Sequence, residues 1–245
     1  MKIAMIRVGV NSKEGGIQGP LFQDGSFEYI PIPKTENLWV VSKHTYESLK
    51  GRHRQPLVHY FPLRRQPKMA KRGVHYNPEW DTFTYGDYTG GSKAGLRNLE
   101  TGDILIFTCG LEGWGDCHSK PGIYLAGYFI VEVADTLSQF IWQEEKTLFK
   151  SNEHIRLLKG KRVTYSDGSE FIRVKGSPKS RLLKKAVLLS TTTQDSKGST
   201  LKVLSPKMRR IFGDLGGKNS IQHSPTRWID DAYTKRVAKY LQSLE

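Results

Sequence analysis

Apolar positions in this chain gather in short runs, and the clearest pair lies in the middle. Residues 104–107 (Ile-Leu-Ile-Phe) and 123–133 (Ile-Tyr-Leu-Ala-Gly-Tyr-Phe-Ile-Val-Glu-Val) are rich in β-branched and aromatic residues, and turn residues bound them. This pattern predicts two buried strands, with Thr101-Gly102-Asp103 as the turn into the first. The wide loop between them carries Glu112, Trp114, Asp116, Cys117 and His118, a setting in which a pocket can be built. An opening strand is expected over 3–10, and a hairpin over 21–33 with Asp24-Gly25 at its turn. Pro31 and Pro33 confine the second arm of that hairpin to a sheet edge. A further strand is expected over 171–175, and a short apolar run follows at 187–190.

Helical signals are fewer. Residues 93–97 suit a short turn of helix, and 136–149 have helix-like spacing. Ser177 and Pro178 have the grammar of an N-cap and first helical residue, ahead of apolar positions that begin at Leu182. Residues 191–200 read as a polar, mobile linker. A final amphipathic helix over 230–244 places Ala232, Val237, Tyr240, Leu241 and Leu244 on one stripe. The expected fold is α+β: a mixed, partly barrel-like central β-sheet with short peripheral helices and long basic loops. Residues 1–245 read as one domain, with a basic, loop-rich insertion at about 36–85 and the C-terminal helix at about 230–244.

Charge changes the picture. Thirty-eight Lys and Arg against 24 Asp and Glu leave a formal charge of +14, and the isoelectric point is near 9.7. Such an excess attracts polyanions, of which nucleic acid is the commonest for a soluble protein. Within 36–85, Arg52, His53, Arg54, Arg64, Arg65, Lys68, Lys71, Arg72 and His75 are interleaved with Tyr60, Phe61, Tyr76 and Trp80. That mixture suits phosphate contacts combined with base stacking. The loop after the opening strand, with Lys13, Gly15 and Gly16, has the composition of an anion nest but lacks a Walker A ending. Lys175, Ser177, Ser180 and Arg181 surround the expected helix start, where free N–H groups would hold an anion.

Cys109 and Cys117 are too few for a zinc site without distant histidines, so no metal and no cofactor are expected. No apolar run approaches the length of a membrane span, the N-terminus lacks signal-peptide grammar, and a cytoplasmic protein without a membrane partner is expected.

Several motifs in order resemble one family. They are Gly15-Gly16, Asp24-Gly25, Ile30-Pro31-Ile32-Pro33, Tyr85-Gly86-Asp87, Leu99-Glu100-Thr101-Gly102-Asp103, Gly127-Tyr128-Phe129, Asn152-Glu153-His154, Gly176-Ser177 and 222–229 (Gln-His-Ser-Pro-Thr-Arg-Trp-Ile). Together they are similar to the nucleotide modification associated domain family, third type. The family pattern has Pro-Ser-Pro after the glycine pair and a second proline before the Arg-Trp, where this chain has Gln18-Gly19-Pro20 and Thr226. The resemblance implies an association with enzymes that make modified DNA bases. The central region also resembles, over a shorter stretch, the base-holding PUA, ASCH and EVE barrels.

Two functions compete. The first is a protein that holds a modified base or nucleotide in a pocket beside the central hairpin. Trp114 would stack, Asn152, His154 and Arg156 would read edges, and Lys13, Gly15, Gly16, Lys175, Ser177, Ser180, Arg181 and Arg227 would hold phosphate. The alternative is an enzyme acting on a base or nucleotide, with acid–base chemistry from Asp24, Asp87, Glu112 or His154. A basic structural protein remains if there is no pocket. The partner expected is nucleic acid, DNA foremost, or a nucleotide; the oligomeric state is open.

Overall fold

The computed structural model describes residues 1–34, 44–136, 171–215, 217, 220–222 and 225–244. Its strands in chain order are β1 (Ile3–Arg7), β2 (Gly19–Leu21), β3 (Ile32–Pro33), β4 (Val74–His75), β5 (Thr84–Tyr88), β6 (Ile104–Gly113), β7 (Gly122–Thr136), β8 (Phe171–Gly176), β9 (Arg181–Leu188), β10 (Ser190–Gln194), β11 (Thr200–Leu204) and β12 (Arg227–Trp228). The helices are α1 (Gln66–Ala70), α2 (Pro206–Phe212) and α3 (Asp231–Gln242), with 3₁₀ turns at Leu57–Tyr60, Leu63–Arg65 and Gly91–Asn98.

The hairpin β6–β7 is the spine of an eight-stranded mixed sheet ordered β12-β1-β6-β7-β8-β5, in which β2 also pairs with β6 and β9 with β7. The fold is α+β, and the described strands do not close into a barrel. The two ends of β7 take different neighbours: residues 124–128 pair with β9, and 131–136 with β8.

β6 is lined on its other edge by two separate parallel strands. Ile104 to Thr108 pair with β1, and Leu111 to Gly113 pair with β2. Between Arg7 and Gly19 the chain leaves the sheet, so among the described residues no strand lies beside Cys109 and Gly110 on that edge. This gap is what positions the candidate site.

Packing follows the aromatic residues. Phe107 and Phe129 meet at 4.6 Å, and Trp80 sits edge-on to both at 5.3 and 5.5 Å. A Cβ on Gly127 would fall 2.7 Å from that indole and 2.4 Å from the Arg181 carbonyl, so only glycine lets Trp80 lie on β7. A second, smaller core gathers Tyr46, Leu57, Tyr60, Phe61 and Met69. Trp80, Tyr60 and Phe61 are therefore interior, and the basic segment does not offer them for stacking. Inside this lobe the buried carboxylate of Glu28 accepts the Arg52 and His53 backbone N–H groups at 2.8 and 2.6 Å.

Three expectations need correction. The helix start at Ser177-Pro178 is instead a tight turn from β8 into strand β9: the Ser180 N–H donates to the Ser177 carbonyl, and the Ser177 N–H to Ile130. Unpaired backbone groups on the edge of β7 need a partner, and pairing overrides local helix grammar. The mobile linker at 191–200 is a hairpin, because its threonines pair as β10–β11 around a turn in which Asp195 caps the N–H groups of Lys197 and Ser199. The C-terminal helix forms from its Asp230 cap, but it buries Thr234, Val237 and Leu241 and leaves Ala232 exposed. The helix expected over 136–149 and the cluster 151–156 lie outside the described residues, apart from Thr136, which ends β7.

Candidate functional site

Two adjoining hollows open where the chain leaves the sheet after β1, and both are lined by Arg7, Asn11 and Glu14. The first, of about 390 Å³, adds Lys13, Gln18, Ile123, Lys202 and Gln222. The second, of about 250 Å³, adds His75, Asn77, Tyr85, Asp87 and Lys93. Together they are on the scale of small-ligand sites.

Arg7 sits between them because it closes an otherwise apolar strand. Its Nη1 donates to the Gln222 carbonyl. Its Nε is buried without a hydrogen-bond partner among the described residues. Burial pulls its pKa below the ordinary arginine value, with Cys109 and Glu14 opposing. Gly110, which pairs with Ile123, makes the space: an added Cβ there would lie 1.8 Å from Gln18 Oε1 and 2.8 Å from Arg7 Nη2. Lys202 also reads below the usual lysine value, through burial first and then the Arg7 charge. Its backbone N–H donates to the Gln222 side-chain oxygen at 2.9 Å, which ties β11 to the same wall.

The second hollow has a different chemistry. The Tyr85 hydroxyl donates to Asp87 Oδ2, and Lys93 Nζ lies 3.3 Å from that oxygen and 3.4 Å from the Tyr85 hydroxyl. Burial, followed by the Asp87 charge, raises the Tyr85 pKa, so the phenol stays a donor at neutral pH. Asn77 pairs with the Gly86 backbone in both directions, at 2.7 and 3.1 Å, holding its loop against β5. Lys93 is delivered by the 3₁₀ turn Gly91–Asn98, which is pinned by the Thr226 N–H to the Ser92 carbonyl.

Among the residues singled out from sequence, Lys13 lines the first hollow and Asp87 the second. Gly15 and Gly16 do not make an open nest. Asn11 Oδ1 already accepts the Lys13 and Glu14 N–H groups, and the Gly16 N–H donates to the Asn11 carbonyl. Asp24 caps its own turn by accepting Ser26, which holds its carboxyl below the ordinary value. Glu112 sits opposite Pro20 at the far end of β6. Trp114 packs edge-on against Tyr60 at 5.6 Å and His59 at 6.3 Å.

Arg227 pairs with Met5, level with Ile106, eight residues from Trp114 and so roughly 26 Å away along the strand. Its Nη2 donates to the Ser220 carbonyl at 3.0 Å, beside the Gln222 carbonyl that Arg7 holds. Lys175 donates to the Thr82 carbonyl, Ser177 Oγ accepts the Lys179 N–H, and Ser180 Oγ accepts the Ile130 N–H. Arg181 is folded back on the Pro178 and Ser180 carbonyls. Ser177, Ser180 and Arg181 serve the β8–β9 turn, and Lys175 ties β8 to the loop before β5. Asn152, His154 and Arg156 are outside the described residues.

Sequence reading passed over Arg7, Gln18, Asn77, Lys93 and Lys202, and counted His75 only within the basic, aromatic-rich segment. Only Arg7 left a signal: a cation ending the run Ile3-Ala4-Met5-Ile6. No cluster of three or more His, Cys, Asp or Glu suited to a metal occurs among the described residues. No helix among them is long and apolar enough to cross a membrane.

Fold and hollow together define a basic α+β protein with a polar, cation-centred cleft at a break in its sheet. The chain belongs to the nucleotide modification associated domain 3 family, whose model matches residues 2–243. Comparison with curated proteins and with solved structures finds no match.

Proposed function

We propose that the protein binds a nucleotide, free or turned out of a DNA strand, in the paired hollows at Arg7. The phosphate lies toward Arg7, Lys13 and Lys202, and the base edge faces His75, Asn77 and Asp87. The observation that carries this reading is Arg7 itself, a largely buried guanidinium whose Nε lacks a partner among the described residues at the junction of the two hollows. A buried donor left unmade costs about 1–3 kcal/mol, and a phosphate oxygen supplies the missing acceptor. The family and the charge of +14 support the same ligand class. Trp114, expected to stack on the base, has no part in this reading.

The test is calorimetric titration with deoxynucleoside 5′-monophosphates and the matching nucleosides. The monophosphates bind at least tenfold more tightly, and Arg7→Gln removes that difference. Asp87→Asn changes the preference among bases. Equal binding of nucleosides and monophosphates sinks the proposal.

The trio Asp87, Tyr85 and Lys93 favours a second reading, an enzyme acting on the bound base. There Asp87→Asn abolishes turnover while monophosphate affinity stays within a few-fold of wild type.

A further inference from the structure

Residues 48–78 contain eight Lys and Arg and no Asp or Glu. Arg54, Arg64, Lys68 and Lys71 are exposed and form no ion pair among the described residues. Between Arg54 and Arg64 in the chain, and five residues before Lys68, stands Leu63, 83% exposed, at the start of a 3₁₀ turn. A single exposed leucine is ordinary on a protein surface. This one is held on a stiff mount. Pro62 precedes it, and the Arg65 and Gln66 N–H groups close on the Pro62 carbonyl at 2.7 and 3.2 Å. Gln66 Nε2 donates to the Phe61 carbonyl at 3.0 Å, and Phe61 and Met69 anchor the turn in the second core. Arg65 lies over the Phe61 ring and donates to the Gly16 carbonyl at 3.3 Å. That contact joins the turn to the loop that carries Asn11, Lys13 and Glu14 into the cleft.

We infer that this face docks double-stranded DNA: Arg54, Arg64, Lys68 and Lys71 lie along the phosphates, and Leu63 enters the base stack as a wedge. Exposed cations flanking a rigid apolar tip along the chain match the two demands of such binding. Backbone charge is neutralised with release of counterions, and an apolar side chain unstacks one step of the duplex. A base pushed out of the helix then has a destination close by, since Arg65 links the wedge to the cleft. The inference rests on the nucleotide reading only for where the displaced base goes.

The experiment uses the full chain and a duplex carrying 2-aminopurine, whose fluorescence rises when the base unstacks. Affinity is measured across a salt series. Arg64→Gln, Lys68→Gln and Lys71→Gln combined should reduce the slope of log affinity on log salt by about 2 to 3, at roughly 0.9 per phosphate contact. Leu63→Ala should leave that slope unchanged and remove most of the fluorescence rise, and Leu63→Met should restore it. An unchanged slope in the triple variant, a full rise with Leu63→Ala, or tighter binding of the equivalent RNA duplex overturns the inference. Deoxynucleoside monophosphate titration of the same variants separates the two proposals. Unstacking without monophosphate binding removes only the cleft reading, and monophosphate binding without unstacking removes only the wedge.

Discussion

Replacing Gly110 by alanine places one methyl group against Gln18 and Arg7, two side chains that line the cleft. Its Cβ would lie 1.8 Å from Gln18 Oε1 and 2.8 Å from Arg7 Nη2, where 3.4 Å is ordinary contact. Gln18 must therefore withdraw by about 1.6 Å and the guanidinium by about 0.6 Å. Both atoms are the far ends of flexible side chains, so the sheet itself need not move. Removing a glycine from a strand interior stabilises by roughly 0.5–1 kcal/mol, which offsets the displacement. The melting temperature should stay within about 4 °C of wild type. Binding should suffer more, because a hydrogen bond to a charged group contributes about 1.5–3 kcal/mol. Misplacing Arg7 should weaken deoxynucleoside monophosphate binding about tenfold or more. Thermal unfolding and calorimetric titration of Gly110→Ala together decide the matter. Unaltered affinity in a folded variant would refute the assignment of the cleft, and gross unfolding would refute the claim that only side-chain ends occupy that space.

Glu28→Ala leaves the Arg52 and His53 N–H groups without their acceptor and should cost about 3 kcal/mol or more in urea unfolding, whereas Glu28→Gln should cost about 1 kcal/mol. A loss below 0.5 kcal/mol for the alanine variant would contradict the anchoring role of this carboxylate. Native protein at pH 8 should present one reactive thiol. Burial pushes the Cys109 thiol up to about 12, while Ser119 holds Cys117 below its ordinary value. Ellman's reagent should label Cys117 alone until the chain is unfolded; equal labelling of both counts against the packing described.

Stability should fall as pH rises above about 9, toward 12. The folded state keeps a proton on Cys109 that the unfolded chain has lost, and buried Tyr60 and half-buried Tyr76 act in the same direction at higher pH. Denaturant midpoints that stay flat from pH 8 to pH 11 would show that these groups are not buried as described.

What could be read from sequence was what depends on local pattern. The two arms of the central hairpin, the Asp24-Gly25 turn and the Asp230-capped helix are spelled by contiguous residues. β9 and the β10–β11 hairpin were misread because their structure is decided by partners far along the chain. Lys and Leu in 181–188 suit a helix until the open edge of β7 is in place. The cleft was hidden for the same reason. It exists because β1 and β2 pair with different halves of β6, and no run of residues announces that register. Trp114 and the aromatics of the basic segment stood out as exposed binding elements, yet Tyr60, Phe61 and Trp80 are spent on packing and Trp114 rests against the second core.

The most direct test observes the Arg7 side chain itself. In a ¹⁵N–¹H spectrum of the folded protein, the Arg7 Nε–Hε resonance, assigned with the Arg7→Gln variant, is followed as a deoxynucleoside monophosphate is added. If this guanidinium is the phosphate-holding group, its resonance shifts saturably and in step with the calorimetric isotherm, while the matching nucleoside leaves it in place. A resonance that stays fixed while the monophosphate binds would mean that the ligand lies elsewhere, and the central claim would fall.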